Sequence, residues 1–70
     1  MITNTAAYHF AVIDDPQALC DQLLARAEDG GLRGTILVAG EGINLFLAGE
    51  RAGIDAFYTA LHGDARFADM

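Results

Sequence analysis

Few side chains here are of a type that does chemistry, and their spacing decides what each could do. The single cysteine, Cys20, could act as a nucleophile or redox group only with a depressed pKa. It shares a helical spacing with Leu19, Leu23, Leu24 and Ala27, which is the pattern of a small apolar core residue. His9 and His62 stand far apart with no third ligand spaced for a metal, so no zinc site is expected. His62 instead falls where an imidazole would face the carbonyl end of a helix. One polar cluster remains, Glu41-Gly42-Ile43-Asn44, whose carboxylate and amide could position a substrate. Asparagine beside a tight turn more often bonds its own turn backbone, and that structural role is the expectation for Asn44.

These residues must be positioned by the stretch Gly34 to Gly49. Two apolar runs, Thr35 to Ala39 and Ile43 to Ala48, flank Gly40-Glu41-Gly42. Each run has strand length, so the pattern predicts a β-hairpin. Gly40 and Gly42 bracket the reversal, where one residue at positive φ is expected, and Glu41 is left at the tip facing water.

The remaining elements follow in order. Tyr8 to Ile13 alternates and predicts a first strand. Asp14-Asp15-Pro16 then predicts a helix start, with Asp15 as cap and Pro16 in the first turn. The apolar stripe through Cys20 continues that helix, and Gly30-Gly31 ends it. Beyond the hairpin, Ile54, Phe57, Tyr58 and Leu61 predict a second helix stopped near Gly63. The order β-α-β-β-α is that of an α+β, ferredoxin-like sandwich with two helices on one face of an antiparallel sheet. Its strands would lie in the order first, third, second. Asp64 to Met70 would lead towards a fourth strand, expected to be absent from this chain. Phe10, Val12, Ile36, Val38, Ile43, Leu45 and Leu47 are assigned to the helix-covered core. Ala11, Thr35, Leu37, Ala39 and Phe46 fall on the opposite face, and a one-residue slip would exchange the two sets.

Composition narrows the partners. Seventy residues with 53% hydrophobic content form one small domain, with apolar surface left over for another domain or a second copy. Self-association of residues 1–70 on their own is therefore expected. Four arginines and no lysine stand against ten carboxylates, a formal charge of −6 that repels polyanions. Tight binding of nucleic acid by these residues alone is not expected. One cysteine allows no internal disulfide, and no run approaches the ~20 apolar residues of a membrane span. A cytoplasmic location without membrane contact is the expectation.

The segment from Gly31 to Asn44 resembles the GxxGTxLxAxEGIN signature in the N-terminal domain of rhodanese-like tRNA uridine hydroxylases. Tyr8-His9-Phe10, Asp14-Asp15-Pro16, Ile54-Asp55-Ala56-Phe57 and Arg66-Phe67-Ala68-Asp69 resemble that family too, so the similarity covers nearly the whole chain. Two places depart from the pattern. Gly40 stands where the family usually has proline, and Leu45-Phe46 replaces a Gly-Thr-like pair.

The resemblance implies an acylphosphatase-like N-terminal domain, residues 1–70, followed in the parent chain by a rhodanese domain that holds the catalytic cysteine. It implies oxygen-dependent synthesis of 5-hydroxyuridine at the tRNA wobble position, with molecular oxygen as co-substrate of the parent enzyme. This domain would carry no cofactor, no metal and no catalytic residue, and tRNA would be met by the intact protein only. The residues that transfer are those of the signature hairpin: Gly34, Glu41, Gly42, Ile43 and Asn44. A protein-interaction domain docking a partner through its open sheet face is the alternative. An acylphosphatase-like hydrolase ranks below both, because the loop Ile13-Asp14-Asp15 would repel phosphate. An RNA-recognition motif shares the topology and would use Tyr8 and Phe46 for stacking, but it needs basic groups beside them.

Overall fold

Asp15 and Pro16 start the first helix as their types dictate. In a computed structural model, which describes residues 2–68, the Asp15 carboxylate accepts a hydrogen bond from the Ala18 amide at 3.3 Å and Pro16 opens the helix. The elements are β1 (Ile2–Phe10), α1 (Pro16–Asp29), β2 (Arg33–Ala39), β3 (Gly42–Glu50), α2 (Arg51–His62) and a short 3-10 turn, Ala65–Phe67. The sheet is antiparallel in the order β1-β3-β2. This is the α+β arrangement that the sequence pattern predicts. Both helices lie on one face, with α1 against β2 and α2 against β3 and β1.

The core forms where three periodicities meet. Leu19, Leu23 and Ala27 face inward from α1, Ile54, Phe57 and Leu61 from α2, and Ile43, Leu45 and Leu47 from β3. Leu24 is exposed and Cys20 and Tyr58 are half-buried, so each predicted helical stripe is narrower than its apolar sequence. The 3-10 turn Ala65–Phe67, capped by Asp64, drops Phe67 into the core. Asp69 and Met70, the end of the predicted lead-in to a fourth strand, lie outside the described residues.

Three expectations need correction. β1 begins at Ile2 and ends at Phe10, not Tyr8 to Ile13. Beyond Phe10 the chain still tracks the hairpin turn, with the Ala11 amide donating to the Glu41 carbonyl at 3.0 Å and the Ile13 amide to the Gly40 carbonyl at 2.9 Å. The face of β1 is also reversed. Phe10 and Val12 are 77% and 79% exposed, whereas Ala11 packs against the core and Ile13 is buried in it. On the covered side β1 presents Thr3, Thr5, Ala7 and His9, and the Thr5 hydroxyl meets the Tyr58 hydroxyl at 3.1 Å. Val38, also assigned to the core, is half-buried at its margin.

The third correction concerns the glycines. The turn itself is Gly40-Glu41, and Gly40 is not among the positive-φ glycines. Gly42 has φ of +157°, but it is the first residue of β3, paired with Phe10 on one side and Ala39 on the other. A Cβ there would strike the His9 carbonyl oxygen, and one on Gly34, at φ of +141°, would strike that of Phe46. The signature glycines are therefore set by close approach of neighbouring strands. Gly42→Val and Gly34→Val should each destabilise the chain by more than about 2 kcal/mol, while Glu41→Ala at the exposed tip should change stability by under ~0.5 kcal/mol. Urea melts check this, and equal small effects would contradict the packing described.

Candidate functional site

The signature residues divide between the interior and one open surface. Ile43 is buried beneath the helices and Gly42 lies between two backbones. Gly34 faces Leu47 further along the sheet, and Glu41 stands at the turn. Asn44 is not a turn residue. It lies within β3 between Tyr8 and Leu37, on the face away from the helices, which corrects its expected bond to the turn backbone. The five residues thus do not converge on one pocket. Glu41, Gly42 and Asn44 border a shallow hollow of about 150 Å³ with Phe10, Leu37 and Ala39.

That hollow is one end of a larger surface. β1 and β3 turn Tyr8, Phe10 and Phe46 outward, 69%, 77% and 54% exposed, and β2 adds Leu37. The Tyr8 and Phe10 rings meet edge to face at 5.8 Å between centroids. At the other end, Ala6, Ala48 and Gly34 leave a second hollow of about 460 Å³ beside Phe46 and Arg33. Both hollows arise where small residues interrupt a surface of large apolar ones. Sequence reasoning found Phe46 and Leu37 on this face but missed Phe10, because alternation alone does not say which side of β1 is covered.

The groups that could do chemistry lie elsewhere. Cys20 is half-buried on α1, with its thiol 4.0 Å from the Ile36 carbonyl oxygen. His9 meets Phe67 edge-on at 5.9 Å, and His62, in the last turn of α2, lies beside Tyr58 at 6.1 Å. Among the described residues no three His, Cys, Asp or Glu side chains gather where a metal could be held. At the entry to α1, where a phosphate cradle would need free amides, the Asp15 carboxylate occupies the Ala18 amide. No helix of the described residues is long and apolar enough to cross a membrane.

One ion pair was not foreseen. The Arg66 guanidinium grips Asp64 through Nε at 3.0 Å and Nη2 at 2.6 Å, while the Arg66 amide donates to Asp64 Oδ1 at 2.9 Å. These bonds, the side-chain ones foremost, hold the Asp64 carboxyl down at about 2. The guanidinium also sits 5.4 Å from the centre of the Phe67 ring. A sequence signal existed in Asp-x-Arg just after Gly63, the spacing of an aspartate that caps a turn.

The comparisons with known proteins agree with this architecture. The UPF0176 acylphosphatase-like domain model matches residues 2–70. The chain belongs to this family. It is 63% identical over all 70 residues to a tRNA uridine(34) hydroxylase of Xanthomonas campestris pv. campestris (strain 8004), and covers 28% of that protein. It is 60% identical to proteins of the same name from Xylella fastidiosa (strain M23) and Xanthomonas axonopodis pv. citri (strain 306), of which it covers 27% and 28%. The match takes in the whole chain but only a little over a quarter of each relative.

The Asp64–Arg66 pair generates a pH prediction. Because the folded carboxyl is held below its ordinary value of 3.8, its stabilisation is complete above about pH 4 and disappears as the pH falls through about 2. Asp64→Asn should therefore be less stable than the parent near neutrality, and the difference should vanish below pH 2. Thermal melts between pH 1 and 7 check this, and a gap as large at pH 1 as near neutrality would contradict it.

Proposed function

We propose that this chain is the N-terminal domain of an enzyme that hydroxylates the wobble uridine of tRNA to 5-hydroxyuridine. The observation that carries the reading is the full-chain match, at 60–63% identity, to proteins named tRNA uridine(34) hydroxylase. In this reading the domain is non-catalytic and helps to build or dock a rhodanese domain of the same parent chain. Molecular oxygen is the co-substrate of that parent enzyme, and no cofactor belongs to this domain. The hairpin of Gly34, Glu41, Gly42, Ile43 and Asn44 is structural: its glycines let β3 lie close to both neighbours, and Ile43 anchors it in the core. The intact protein meets tRNA in the cytoplasm.

Charge supports leaving RNA to the intact protein. Arg66 is paired with Asp64, and Arg51 lies 3.6 Å from Asp55. Few cations are left to neutralise phosphates in a chain of formal charge −6.

The test is complementation. In bacteria deleted for their own enzyme of this family, the full-length protein carrying this domain should restore 5-hydroxyuridine at the wobble position, read by mass spectrometry of digested tRNA. Cys20→Ala in the same protein should restore it to within about twofold, since Cys20 serves as a small packed side chain. No 5-hydroxyuridine from the unaltered protein would overturn the reading, and loss confined to Cys20→Ala would give this domain a catalytic thiol.

A further inference from the structure

From the open face of the sheet we infer that Tyr8, Phe10, Leu37, Asn44 and Phe46 form a seat for another part of the same polypeptide. The inference rests on the reading that this chain is one domain of a longer protein. Exposed aromatic residues on two neighbouring strands are costly to leave in water, and such a patch marks an interaction surface. Its charge argues for a protein occupant. Arg33 and Glu50 stand at one end of the face and Glu41 at the other, and the polar side chains among the apolar ones, Asn4, Thr35 and Asn44, are uncharged. Stacking unpaired bases also needs a basic path for the phosphates, and this face has none.

Covalent linkage then separates a tethered occupant from a second copy. A short covalent tether supplies an effective concentration in the millimolar range and makes the same face sufficient. The matched relatives are long enough to supply such an occupant, since this domain covers 28% of their length. The two hollows at Ala6-Ala48 and Ala39-Gly42 would accept side chains from it and fix its register.

The experiment uses the full-length protein carrying this domain, with Cys20→Ala as background. Thr35→Cys and Leu37→Cys place thiols on the open face, and Ala25→Cys places one on the exposed side of α1. Maleimide labelling, read at each engineered cysteine by peptide mass spectrometry, should be slower at the two sheet thiols than at Ala25→Cys by about tenfold or more in the native protein, and equal to it in urea. Adding Phe46→Asp should restore fast labelling at Thr35→Cys. Native labelling as fast as at Ala25→Cys would overturn the inference. Protection lost on dilution would make the occupant a second copy, and protection gained only with added tRNA would make it RNA; either result overturns it. Wobble 5-hydroxyuridine is measured on the same proteins. Protected thiols without tRNA modification would sink the hydroxylase reading and leave the seat standing.

Discussion

Close approach of backbone to backbone around β3 is the constraint on which the rest of this domain depends. β3 is hydrogen-bonded to β1 along one side and to β2 along the other. At Gly42 and Gly34 the space a side chain would occupy is taken by the carbonyl oxygens of His9 and Phe46. Ile43, Leu45 and Leu47 can then align under the two helices, with Leu45 wholly buried. If the strands were spread to admit a Cβ, that row would be displaced. Dense apolar packing tolerates such shifts poorly.

The same sheet has two unlike faces. Under α2 the residues of β1 are small, and the Thr5–Tyr58 hydroxyl pair lets a threonine and a tyrosine sit there without a stranded polar group. On the far side, where no helix of the described residues lies, the aromatic rings of β1 and β3 face water. The helical layer thus accounts for one face completely and leaves the other to something else. That division fits a domain whose relatives are several times its length.

Polar interactions in this domain chiefly secure chain ends of elements. Asp15 caps α1, and Asp64 caps the last turn while holding Arg66, whose guanidinium lies against Phe67. Such contacts fix where elements begin. The acidic surface they leave is a poor platform for a polyanion.

Much of this was legible in the residues. The Asp-Pro start of α1, the i, i+3, i+4 stripe of α2 and the paired apolar runs around Gly40-Glu41-Gly42 are local patterns, and local patterns specify element type and order. The family was legible for the same reason, since its signature is a contiguous segment, Gly31 to Asn44. What only the tertiary structure decided was which side of each element is covered. The large apolar residues of β1, Ile2, Tyr8 and Phe10, share one parity, and the tertiary structure set that side away from the helices. Asn44 likewise became a surface residue of mid-strand through the register with Tyr8 and Leu37. The need for glycine at positions 34 and 42 came from strands distant in sequence, because a close approach belongs to two segments and neither segment records it alone.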